Sequence, residues 1–281
     1  MILPALIAIC LWTIYPIAYS FYISLYKWYL YSKVSFVGLG NYVKLIHDDL
    51  FWKSLYQVSY YVMMSVSCQL ILGLGMALLL NEKLKGRGIV KAFLLIPWAL
   101  PGTTVGGIWK WIYQYDYGLF NIILRTIGIS ENGFHWLSSS TALNSIILVD
   151  IWRFAPFTAI ILLAGLTTIP KSLYEAAIID GANAWRRLIN ITLPLLLPTI
   201  LVVLIIRTMF AFQVFDLIVT LTHGGPGTAT YVLPYYAYLN AFSFIHIGYG
   251  AAVSYALMGS ILSMIVLFSL LFKVLNKKIR V

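Results

Sequence analysis

Residues 54–80 read SLYQVSYYVMMSVSCQLILGLGMALLL, and between Lys53 and Glu82 no side chain is charged at neutral pH. About 20 apolar residues in a helix cover the roughly 30 Å hydrocarbon layer of a bilayer, so this stretch is long enough to cross with some tilt. The rest of the chain agrees. Of its 281 residues, 61% are hydrophobic and 10% charged, with a mean hydropathy of +0.89. Soluble domains carry about 25% charged residues, and a soluble fold of this composition would expose apolar patches that drive association. Disordered and collagen-like chains are excluded by the same composition. Cys10 and Cys68 lie inside apolar runs and are expected to be small buried hydrophobes, with no disulfide framework.

Working outward, the uncharged runs define six spans, at about 3–26, 54–80, 90–113, 142–168, 190–221 and 248–273, in a single transmembrane domain over 1–281. Residues 1–26 carry no charge and lack the basic start and cleavage site of a secretory leader. They are expected to be a retained first span, with room for a short cytoplasmic tail before it. The third span is broken by Pro97 and Pro101. Gly224-Gly225-Pro226 marks the turn that separates spans five and six. The predicted class is an all-α integral membrane protein.

Cations fix the orientation. Lys83, Lys85, Arg87, Lys91, Lys171, Arg186, Arg187, Lys273, Lys277, Lys278 and Arg280 fall on one side, and Lys27, Lys33, Lys44, Lys53, Lys110 and Arg125 on the other. Eleven against six places both termini in the cytoplasm. The net charge of +10 flanks the spans rather than gathering on one polar face, so nucleic acid is not expected as a partner. Tyr22, Tyr26, Trp28, Tyr29 and Tyr31 follow span one, and Trp109, Trp111, Tyr113, Tyr115 and Tyr117 follow span three. Both clusters read as outer interfacial belts, with sugar stacking as the alternative.

Between spans four and five the chain reads IPKSLYEAAIIDGANAWRRLINITLPLLLP, residues 169–198. Ser172 and Glu175 have capping-box spacing, which predicts a helix from Leu173 to about Asp180 with Leu173, Ala176 and Ala177 on one face. Gly181 supplies the permissive backbone of its C-cap. A second helix is expected over Asn183–Asn190, grouping Trp185, Leu188 and Ile189 and leaving Arg186 and Arg187 in water. Pro194 and Pro198 follow. This cytoplasmic loop is more elaborate than a connector requires and reads as a docking surface.

Glu175, Ala176, Ala177, Gly181, Ile191, Leu193 and Pro194 complete the string E-A-A-x(3)-G-x(9)-I-x-L-P. It resembles the signature of the membrane subunits of binding-protein-dependent ABC importers. FVGLGNYVKL (36–45), LLIPWALPG (94–102), FDLIVTLTHGGPG (215–227) and GYGAAVS (248–254) resemble the carbohydrate branch, as in the first permease of maltose and glycerol-phosphate systems. The resemblance implies the type I importer permease fold in a bacterial or archaeal inner membrane. It implies a coupling helix in the 169–190 loop, set into a cleft of the cytoplasmic ATPase through Glu175, Ala176, Ala177, Asp180, Gly181, Arg186 and Pro194. Glu175 reads either as a capping carboxylate or as an ion-pair partner of a basic ATPase residue. The implied partners are a second permease, two ATP-binding cassette subunits, an external solute-binding protein, a saccharide and membrane lipid.

Ionisable groups at membrane depth mark cavities or internal pairs. Asp150 and Arg153 share a face of span four, as an internal salt bridge or as part of a path. Carried over by spacing from the maltose-type permeases, the pathway positions are Asp150, Arg153, Phe154 and Phe157 on span four. On span five they are Arg207, Phe210, Ala211 and Val214, with Gln213 and Asp216 beside them. Aromatic faces with forked charged groups suit a polyol. A neutral oligosaccharide is preferred because Asp150 and Asp216 oppose a strongly anionic ligand; a uronate oligosaccharide or glycerol phosphate is the alternative. The sequence has no G-x(4)-G-K-[ST] phosphate loop and no G-x-S-x-G turn, and His47, His135, His223 and His246 lack metal-ligand spacing. No enzymatic activity and no resident cofactor are therefore expected, with ATP and Mg on the partner ATPase. An ion-coupled secondary transporter working through Asp150 or Asp216 is the alternative of a different class.

Overall fold

The computed structural model describes residues 3–29, 34–82 and 85–279. Tyr31, Lys33, Lys83 and Arg280, used above for the belt and the orientation count, lie outside the described residues. The elements run in chain order as α1 (Leu3–Ile9), α2 (Tyr15–Ser24), the short antiparallel strands β1 (Tyr26–Lys27) and β2 (Ser35–Phe36), α3 (Gly40–Ile46), α4 (Asp49–Asn81), α5 (Arg87–Ala99), α6 (Gly102–Ile112), α7 (Leu119–Thr126), α8 (Ala142–Thr167), α9 (Lys171–Ile179), α10 (Ala184–Arg187), α11 (Leu193–Phe212), α12 (Asp216–Leu221), α13 (Leu233–Tyr238) and α14 (Ile247–Ile279).

Among the described residues five helices are long and apolar enough to cross a bilayer: Leu6–Ser24, Asp49–Asn81, Ala142–Thr167, Ala184–Phe212 and Ile247–Val274. Counted as one span, the pair α5 and α6, bent by 92°, brings the number of crossings to six. Pro97 sits inside α5 without breaking it. The break falls at Leu100-Pro101, because the proline ring pushes the residue before it out of helical space; Leu100 has ψ 139°.

Two crossings contain a π-helical turn, Cys10–Ile14 and Leu188–Thr192, and each is followed two residues later by a proline, Pro16 and Pro194. A proline cannot donate to the carbonyl four residues back, and an inserted residue lets the helix continue past that gap. The second turn merges α10 into α11. The expected helix over Asn183–Asn190 is therefore the first part of span five, not a separate element. That span also stops earlier than expected: its helix ends at Phe212, and Gln213–Phe215 form a break before α12.

The centre of the bundle is the crossing of α4 on α8. Gly73 permits it, since a Cβ there would lie 2.6 Å from Thr158 Cγ2. Small residues give membrane helices close approach and hence dispersion contact, which replaces the hydrophobic drive that lipid does not supply. Val58, Tyr61, Val105 and Ile146 are fully buried in one apolar cluster, and Ala77, Leu162 and Leu196 in a second. The belt expected after span three divides. Trp109 and Tyr113, four residues apart on one helix face, are buried in the bundle, with the Tyr113 ring stacked on Trp136. Trp111 and Tyr117 are exposed.

Asp48 ties the segment before α4 to the C-terminal part of the chain. Its Oδ1 caps α4, accepting from the N–H of Leu50 at 3.0 Å and of Phe51 at 3.4 Å. Its Oδ2 accepts from the Tyr236 hydroxyl at 2.5 Å and from the Tyr249 hydroxyl. Burial alone would raise the Asp48 pKa, but these four donors outweigh it and hold the carboxyl below its ordinary value. Burial and the Asp48 carboxylate push the Tyr236 hydroxyl up to about 12.

Candidate functional site: a cavity between the fourth and fifth spans

Two charged constellations meet at membrane depth. The first is closed. Arg207 on α11 is fully buried and pairs with Asp150 on α8, Nη2 to Oδ2 at 3.1 Å. Gln69 on α4 joins the two helices, donating from Nε2 to Asp150 Oδ2 at 2.8 Å and to the Asp150 carbonyl at 3.1 Å. Its Oε1 accepts from Arg207 Nε at 2.7 Å. The Phe154 ring covers the guanidinium, with Cζ 3.7 Å from the ring centroid. Low dielectric makes each of these bonds strong and the loss of any partner costly. Asp150 therefore pairs across helices with Arg207; the pairing with Arg153 considered from the sequence does not form.

The second constellation is open. A cavity of about 380 Å³ is lined by Asp150, Arg153, Phe154, Phe210, Gln213, Val214 and Asp216, joined by Trp98, Phe215 and Leu217. Arg153 turns from Asp150 to the bend of span three, donating from Nη2 to the Leu100 carbonyl at 2.9 Å. That carbonyl stands at the C-terminal end of α5, where the helix dipole is negative. Asp216, at the first position of α12, lies against Gly102 at the opposite, positive end of the bend; a Cβ on Gly102 would overlap its carboxylate. Each charge thus faces the helix end of opposite sign, and the bent crossing supplies both ends to one cavity. The four charges balance, because Arg207 offsets Asp150 and Arg153 offsets Asp216.

Three of the sequence-selected residues stand outside the lining. Arg207 is sealed behind Phe154, and Ala211 is buried. Phe157 stacks on Trp98, centroids 4.9 Å apart and planes within 12°, and so positions a lining ring. Sequence reasoning missed Trp98 and Gln69. The signal for Gln69 was an amide inside an uncharged apolar span. Trp98 needed the packing of α5 on α8, which sets its ring against Phe157. Chemically the lining offers flat ring faces for C–H surfaces and separated donors and acceptors for hydroxyl groups. Among the described residues no three His, Cys, Asp or Glu side chains cluster as a metal site would require.

The segment following α8 presents a second surface. Tyr174 and Ala177 face the body of the protein, with the Tyr174 hydroxyl 3.0 Å from Thr192 Oγ1, while Leu173, Glu175, Ala176, Ile178 and Ile179 are exposed. The expected capping box does not form. The N-cap is Pro170, which has no side-chain acceptor and places Ser172 inside the helix. The glycine expectation does match the geometry: Gly181 has φ +75°, and Ala182 N–H donates to the Ala177 carbonyl and Gly181 N–H to that of Ile178, a Schellman ending. Asn183 then caps α10 by accepting from Arg186 N–H at 2.8 Å. Trp185 and Ile189 are exposed and Leu188 half-buried, so the expected apolar group of these three points largely outward.

Comparison with known proteins gives a consistent relationship. The family described as "Binding-protein-dependent transport system inner membrane component" matches residues 69–281. The trehalose/maltose transport system permease protein MalF of Thermococcus litoralis is 44% identical over 90% of this chain and 86% of its own. The sulfoquinovosyl glycerol transport system permease protein SmoG of Agrobacterium fabrum is 41% identical over 89% and 82%. In structure, a chain of a bacterial alginate ABC transporter, solved with an alginate pentasaccharide-bound periplasmic protein, superposes with a TM-score of 0.84 at 24% identity over 99% of this chain and 94% of that one.

Proposed function

The chain belongs to the binding-protein-dependent transport system inner membrane components, and from that premise we propose that it is one transmembrane subunit of an ATP-driven importer of a neutral saccharide. The observation that carries the substrate class is the cavity in which Trp98, Phe154, Phe210 and Phe215 surround Asp150, Arg153, Gln213 and Asp216, with Asp150 neutralised from behind by Arg207. Ring faces take the apolar faces of a sugar, and the polar groups take its hydroxyls. The trehalose/maltose relative supports this reading. An acidic saccharide is the second reading, favoured by Arg153 in the lining and by the alginate transporter neighbour.

The power source in this proposal is a separate pair of ATPase subunits. The exposed side of α9, with Glu175, Ala176 and Ile179, docks on them, and a second permease completes the path. An external binding protein delivers the sugar. Closure of the ATPases moves α9 and exposes the cavity alternately to the two sides of the membrane. No cofactor resides on this chain; ATP and Mg belong to the partner.

Reconstitution with the partner subunits and binding protein in vesicles tests the scheme. Uptake of labelled trehalose or maltose is expected to require ATP and to be insensitive to an alginate oligosaccharide. Uptake driven by an imposed ion gradient without ATP would overturn it. Gly181→Asp, which forces a side chain onto a φ of +75°, is expected to insert normally and to lose the ATPase on co-purification.

A further inference from the structure

A second cavity, of about 300 Å³, shares no residue with the first. It lies where the β1–β2 hairpin and α3 meet the start of α14, and its lining includes Lys27, Trp28, Asn41, Lys44, His246 and Tyr249. The two ammonium groups rest on rings at its wall, Lys27 Nζ 5.6 Å from the Tyr29 centroid and Lys44 Nζ 4.6 Å from that of Tyr249. No carboxylate lines the cavity, and Asp150–Arg207 is the one ion pair among the described residues. Asp48, behind Tyr249, has both oxygens occupied by four donors. Burial and the Lys44 charge hold the His246 imidazole below its ordinary value. Two cations therefore face a cavity that provides no anion of its own.

The surface around the cavity says which anion. Phe36, Leu39, Val43 and Ile46 belong to the same hairpin and helix, lie outside every span, and are 66%, 65%, 55% and 59% exposed. In water such a group is an association hazard. At a bilayer surface it sits in the boundary between headgroups and acyl chains, with neighbouring cations at headgroup level. Span one ends at Ser24, three residues before Lys27, which puts the cavity at that level. We infer that this cavity holds the phosphate of an anionic phospholipid between Lys27 and Lys44, with the apolar side chains of the hairpin and α3 against its acyl chains.

The full-length chain in nanodiscs of phosphatidylcholine doped with phosphatidylglycerol provides the test, with retained lipid counted by native mass spectrometry. The wild-type chain is expected to retain phosphatidylglycerol in preference to phosphatidylcholine, and K27A/K44A to bind it about thirtyfold more weakly. K27R/K44R, which keeps both charges, is expected to retain it, separating lost charge from lost fold. Equal retention by the wild-type and K27A/K44A chains overturns the assignment. So does displacement of the lipid by millimolar inorganic phosphate, the mark of a free-anion site. Weakened affinity for a solute-binding protein with lipid retention unchanged would instead make the cavity a protein-docking site, and the lipid reading would fall.

Discussion

Arg207 and Arg153 lie on neighbouring helices, both against the Phe154 ring, yet they occupy opposite kinds of environment. Arg207 is fully buried, bonded to Asp150 and Gln69 and covered by a ring. Arg153 is half-buried, with Nη2 on a backbone carbonyl, its guanidinium 5.0 Å from the Phe154 ring centroid and the side chain in the lining of a cavity. The first arginine is sealed from a passing solute, its one unpartnered nitrogen, Nη1, buried with it. The second is not. A charge inside an apolar span is thus evidence of a partner, and the identity of the partner decides whether the charge holds the bundle or faces a cavity.

The sharpest way to break this comparison is Arg207→Met, which strands Asp150 without its counter-charge. A loss of about 3–5 kcal/mol is expected, read as a collapse of the thermal transition in detergent. Adding Asp150→Leu is expected to recover most of it, because a well-packed apolar pair replaces a buried ion pair at little cost. An unchanged transition in Arg207→Met would remove the distinction drawn here. Gln69→Leu probes the same cluster more gently. It removes one donor and one acceptor, costs about 1–3 kcal/mol, and is expected to lower the transition without abolishing insertion.

Arg153→Ala tests the other side. Stability is expected to fall by about 1 kcal/mol or less, while transport by the assembled complex falls at least tenfold, a split that Arg207→Met does not produce. The smallest effect belongs to the Asp48 tie. Its depressed folded pKa contributes stability above the unfolded value and loses it as pH falls through the lowered one. The raised Tyr236 acts in the opposite range, stabilising below about 10 and losing that contribution between about 10 and 12. Melting in detergent against pH is expected to show shallow declines below about 4 and above about 10. Asp48→Asn should flatten the acid one.

Much of this architecture was legible in the residues. Uncharged runs locate helices because lipid penalises every ionised group, and Gly181 announces a left-handed turn because few other residues adopt one. Pro97 and Pro101 marked the third crossing, but which of them breaks it depends on whether neighbours absorb the missing hydrogen bond. The same limit applied to the site. Spacing placed Asp150 and Arg153 on one helix face and so suggested a pair, whereas helix rotation against α4 and α11 delivered Asp150 to Arg207. Trp109 and Trp111 differ by two residues and end in opposite surroundings, a difference of helix phase invisible without the packing. Gln69 could be singled out as an amide in lipid, but its bridging role required three helices to meet.

Because the π turn at Leu188–Thr192 absorbs Pro194 without ending the helix, Ala184–Phe212 is one continuous rod. At 1.5 Å per residue, its exposed end at Trp185 lies about 33 Å from Arg207. If the buried pair with Asp150 acts as the fulcrum, a tilt of about 5° swings the far end by about 3 Å and the cavity end, beyond Arg207, by well under 1 Å. Such a lever trades large displacements at the Trp185 tip for small, forceful adjustments beside Phe210 and Gln213.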